Sequence, residues 1–140
     1  MCDEKYKELL GFDPFNNILC VDLILTLVGE IKEYFIGKTF FEEGNDKIKT
    51  IENVSDTLIS KIILGTFGCT VAYDRYVKIG LRSEYLPQSI NKKSICKICD
   101  FAKNNQRTIE VLLRKLNNYY TPMKILDMYF FEKGFEIATK

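Results

Sequence analysis

The residues best suited to chemistry are cysteines. Cys96-Lys97-Ile98-Cys99 has the spacing of a thiol redox pair or of half a zinc site. A redox pair works where a helix N-terminus after a strand stabilises the thiolate, and a zinc site needs a second pair or histidines. The chain has no His, and its other cysteines, Cys2, Cys20 and Cys69, form no second pair at this spacing. Five is an odd number, without the regular spacing of a secreted disulfide framework. Cys96 and Cys99 fall within a helical pattern beside Ile95 and Ile98, so two small apolar side chains on one helix face is the favoured reading. Without His the commonest general base is also missing. The expectation is a protein that is not an enzyme and needs no metal or cofactor. A thiol-redox enzyme built on Cys96 and Cys99 is the enzymatic alternative.

The elements that must hold any site belong to one domain, residues 1–140, long enough to bury about two-thirds of its surface. Hydrophobic residues make up 46% and charged residues 28%, with a net charge of +1. That balance argues against a nucleic-acid partner, which needs an excess of Lys and Arg on one face. The charged start, Met1 to Lys7, is unlike a signal peptide. The apolar run from Ile18 to Ile31 is broken by Asp22 and Glu30 and is shorter than the ~20 residues a span requires. The C-terminal residues carry too many charges for a membrane anchor to be expected there. A soluble, cytoplasmic and reduced protein is expected.

Helical periodicity recurs along the chain. Residues 3–10 form a short helix stopped by Gly11, and Phe12 to Asn17 a turn. A helix from Ile18 to Ile36 ends at Gly37. Phe40-Phe41 reads as a short turn of helix running into the Glu42 to Asp46 loop. Asn53 caps a helix that Gly65 ends. Thr66 then caps a helix over 66–81 that is apolar around most of its circumference and therefore needs neighbours on several sides. Further helices run through Ile90 to Phe101, broken at Asn104-Asn105, from Arg107 to Leu116, and from Thr121-Pro122 to Gly134. No strand is expected. The predicted fold is all-α, seven to eight helices around one central hydrophobic helix.

That central stretch, Thr66-Phe67-Gly68-Cys69-Thr70-Val71-Ala72-Tyr73, resembles the first homology motif of the Bcl-2 family of apoptosis regulators. In that motif Asn-Trp-Gly-Arg leads into an apolar stretch containing Val-Ala. Upstream, Leu25-Thr26-Leu27-Val28-Gly29-Glu30 is similar to the family's third motif. Asn104-Asn105 sits where the second would fall, without its Gly-Gly-Trp. The resemblance spans most of residues 20–115, and the short chain with altered motifs looks like a viral member.

The resemblance implies a Bcl-2-like bundle with a groove for the amphipathic BH3 helix of a pro-apoptotic protein, read by apolar anchors one turn apart. The function it implies is inhibition of host-cell apoptosis. Capped by Thr66, the groove floor would be Phe67, Gly68, Val71 and Ala72, walled by Phe35, Ile36 and Phe40 on one side and Leu58, Ile59 and Ile62 on the other. Cys69 stands where the family has the Arg that pairs with the ligand's Asp. Losing that pair removes about 1.5–3 kcal/mol per hydrogen bond. Affinity would then rest on apolar burial unless Lys61 or Arg75 reaches the carboxylate. The alternative keeps the fold and changes the partner, as in a viral adaptor that blocks innate immune signalling without BH3 helices. An open apolar groove also favours a homodimer. Any mitochondrial association would come through partners.

Overall fold

Four helices begin where the sequence offers a capping side chain. Ser55 accepts from Leu58 N at the start of α2 (Asp56–Phe67), and Asp74 from Val77 N at the start of α3 (Arg75–Ser83). Asn91 does the same for α4 (Lys92–Asn104), and Thr121, followed by Pro122, for α6 (Pro122–Ala138). The computed structural model describes residues 4–16, 20–41, 44 and 47–140. A 3-10 helix (Glu4–Gly11) and α1 (Val21–Phe35) precede these elements, and α5 (Gln106–Lys115) lies between α4 and α6. The described part of the chain is predominantly helical, as expected.

Several boundaries differ from the sequence reading. Ser55, two residues past Asn53, is the cap of α2. Gly65 lies inside α2 and Gly134 inside α6. Phe40-Phe41 is not helical: Thr39–Phe41 (β1) pairs antiparallel with Ile48–Thr50 (β2), Phe41 opposite Ile48. The hairpin is fastened at its base, where Gly37 N donates to Ile51 O and Ile51 N to Lys38 O. Residues 1–3, Asn17, the predicted helix start at Ile18, and Glu42, Glu43, Asn45 and Asp46 lie outside the described residues.

The largest correction concerns residues 66–81, which are not one helix. α2 ends at Phe67, and Gly68 takes φ 65°, the left-handed conformation that closes a helix, its N–H donating to Ile63 O and Leu64 O. Residues 69–74 are non-helical, and α3 starts only at Arg75. Cys69, Thr70, Val71, Ala72 and Tyr73 are all buried. A buried backbone without a helix must find other partners, and side chains supply them. Ser60 Oγ accepts from Tyr73 N at 2.8 Å, Thr57 Oγ1 donates to Tyr73 O at 2.7 Å, and Asp127 Oδ1 accepts from Ala72 N at 2.9 Å. The expected burial is there, but it belongs to a non-helical segment buried among the helices.

Asp127 is nine-tenths buried, its other oxygen 2.8 Å from Lys124 Nζ. Asp127→Ala would leave the Ala72 N–H buried without an acceptor, and the expected loss is about 2–3 kcal/mol. Asp127→Asn keeps an acceptor oxygen and should lose less; chemical denaturation of the two variants compares them directly.

α3 lies along α6, pinned at one end by Glu84, which accepts from Lys133 Nζ and from Tyr129 OH. Lys133, and then Tyr129, hold the Glu84 carboxyl below its ordinary range. A carboxyl lowered in the folded state adds stability above its unfolded pKa and loses it as pH falls through the lowered value. The melting temperature of the wild type should therefore fall more steeply than that of Glu84→Gln between about pH 5 and pH 3.

Candidate functional site

A groove lies between the last two turns of α2 and residues 124–132 of α6. Its larger hollow, about 630 Å³, is lined by Leu64, Gly65, Ala72, Met128 and Phe131, with Lys61, Asp74, Lys124, Asp127 and Glu132 around them. A second hollow of about 440 Å³ shares Leu64, Gly65 and Lys124 and extends past Thr66, Phe67 and Gly68 to Leu10, Tyr119 and Tyr120. Gly65 lines both and is exposed, and a Cβ added there would meet nothing within 4 Å. Along α6, Met128, Phe131 and Phe135 recur at helical spacing, all part-exposed. Tyr76 of α3 packs edge-on against Phe131 and Phe135, at ring distances of 5.3 and 5.4 Å. The result is an apolar trough with an aromatic margin.

Its cations are already engaged. Lys61 lies 3.7 Å from Asp74, which also caps α3, and Lys124 lies 2.8 Å from Asp127. Glu132 has no ionic partner among the described residues. Cys69, which stands where the resemblance calls for Arg, is fully buried, and desolvation pushes its thiol up to about 12. It presents neither a charge nor a reactive thiolate.

Of the residues the resemblance nominated, Thr66, Phe67 and Gly68 line the second hollow and Ala72 the first. Val71, Cys69 and Ile59 are fully buried, and Ile62 is half-buried. Phe35 is half-buried at the end of α1, Ile36 and Phe40 are exposed beside and on the hairpin, and Leu58 is exposed on α2; none of these lines the groove. Gly68 faces its own chain rather than open space: a Cβ there would lie 2.6 Å from Thr121 Cγ2, and Thr121 Oγ1 donates to Gly68 O at 2.7 Å. The α6 wall was absent from the sequence reading of the groove, although Met128, Phe131 and Phe135 at i, i+3 and i+7 carry the pattern of an anchor stripe.

Cys96 and Cys99 lie inside α4, Cys96 half-buried and Cys99 buried, where desolvation pushes the Cys99 thiol up to about 12. Among the described residues no group of three or more His, Cys, Asp or Glu is placed to hold a metal ion, and no helix is long and apolar enough to cross a membrane. Compared with known protein families, curated proteins and solved structures, the chain matches none.

Proposed function

We propose that the protein is a Bcl-2-like, anti-apoptotic binding module that takes the BH3 helix of a pro-apoptotic protein into the groove between α2 and α6. The observation that carries the reading is the open space at Gly65, beside the Thr66-Phe67-Gly68 run that resembles the family's first motif. An amphipathic helix needs a trough in which its backbone can approach the receptor and its apolar anchors can be buried. Gly65 permits that approach, and Leu64, Met128, Phe131 and Tyr119 offer the apolar surface. In this reading the segment 69–73 takes the place of the central hydrophobic helix. The groove runs along α6, and the hairpin is not one of its walls.

The test is calorimetric titration with a panel of BH3 peptides. Binding of at least one member tighter than ~10 μM is expected, and failure of every member to reach that level overturns the reading. A second reading, the innate-signalling adaptor, is favoured by one observation: both lysines lining the groove are held by internal carboxylates, so a BH3 aspartate would have to displace one of them. Co-precipitation from host-cell lysate separates the two, because the first reading predicts recovered pro-apoptotic proteins.

A further inference from the structure

We infer that the helix bound in this groove carries basic side chains on its polar edge, where it passes Glu132 and Glu136 of α6. The inference rests on the groove between α2 and α6 being the docking site, and it adds the charge of the partner. Both groove cations are neutralised, Lys61 by Asp74 and Lys124 by Asp127. The anions toward the C-terminal half of α6 are not. Glu132 and Glu136 stand one turn apart and border a shallow hollow of about 260 Å³ with Tyr129 and Lys133; Glu132 also lines the main groove. Lys133 is taken by Glu84 and leaves both carboxylates without an ionic partner among the described residues. Two like charges at this spacing repel each other on an exposed helix face, and a cation from a partner would relieve that repulsion. The apolar stripe of Met128, Phe131 and Phe135 lies on the same helix, so a partner seated on it passes beside the two carboxylates. Charge complementarity therefore favours a cationic edge over an anionic one.

The experiment takes the tightest-binding BH3 peptide of the panel and places Lys, then Glu, at each polar-edge position in turn. At one or more positions Lys should bind about threefold to tenfold more tightly than Glu at low ionic strength, and the difference should shrink as salt is raised. Glu132→Gln/Glu136→Gln should abolish the preference, and Glu132→Lys/Glu136→Lys should invert it; far-UV circular dichroism checks that these surface variants stay folded. If the peptides bind but Lys and Glu versions are equivalent everywhere, the charge inference is wrong and the groove stands. A preference for Glu would overturn it too. If no peptide of the panel binds, groove and inference fall together.

Discussion

Gly134→Ala is expected to destabilise the protein by about 3 kcal/mol or more, whereas the same change at Gly65 should stabilise it by about 0.5–1 kcal/mol. Both glycines are helical, and alanine is intrinsically better than glycine in a helix interior. Space decides the sign. A Cβ at Gly134 would lie 2.7 Å from Tyr76 C, 2.9 Å from Gly80 N and closer still to the Tyr76 carbonyl oxygen. A Cβ at Gly80 would lie 2.8 Å from Phe130 C and 2.9 Å from Phe130 Cα. These neighbours are backbone, so relief requires α3 and α6 to separate along their crossing, with loss of the packing of Val77, Leu81 and Phe130 that the crossing buries. For a chain of this size the melting midpoint should drop by roughly 10 °C, and Gly80→Ala should behave alike. Gly80 and Gly134 act at one contact, so the double variant should cost less than the sum of the two. Thermal and denaturant unfolding of the three variants check this, and a Gly134→Ala protein as stable as wild type would contradict the crossing.

Several helices were legible where apolar spacing and a capping or breaking residue agreed. Thr121-Pro122 opens α6 and Asn105 divides α4 from α5, because cap and breaker chemistry acts over a few neighbouring residues. The stretch 66–81 shows where that logic stops. An apolar circumference states that a segment is buried and leaves its backbone conformation open, since a short buried run reads alike as helix or extended chain. The signals against one helix were present in Gly68, in β-branched Thr70 and Val71, and in Asp74 at a capping position. The deciding partners were not local: Asp127 is 55 residues from Ala72, and Thr57 is 16 from Tyr73. The glycines misled for a related reason. Gly134 looks like a stop in sequence and is a contact point in space, because the need for a missing Cβ comes from α3. The hairpin was missed because three-residue strands, exposed on both faces, carry no alternation to read.

Part of the lining of the two hollows was legible. The Thr66–Ala72 run drew attention to the end of α2, and Thr66, Phe67, Gly68 and Ala72 border the hollows. The walls taken from α1, the hairpin and the start of α2 assumed that the backbone continued as a helix through Gly68. Once the chain turns there, the open side of α2 faces Tyr119, Tyr120 and α6, elements more than 50 residues later in the chain. Their apolar stripes were visible, but which stripe faces which is fixed by packing between distant segments.

Gly65→Leu is expected to leave the fold intact and weaken capture of the tightest BH3 peptide by tenfold or more. The two halves of this expectation have separate physical causes. Leucine is among the better helix formers, Gly65 is an exposed position of α2, and nothing stands within 4 Å of an added Cβ, so the melting midpoint should match or exceed that of wild type. Gly65 lines both hollows, so in the proposed reading the added branch would occupy space beside the ligand backbone. Holding that backbone away forfeits apolar burial on both sides at about 25 cal/mol per Å², so losing some 60 Å² is enough for a tenfold effect. Gly65→Ala should fall between wild type and Gly65→Leu in binding while gaining stability. Gly68 cannot serve the same test, because its φ of 65° and the nearby Thr121 make any side chain there a change to the end of α2 itself. Melting curves with calorimetry on the same preparations separate the outcomes. A folded Gly65→Leu protein that still captures the peptide at wild-type affinity would place the ligand elsewhere on the surface.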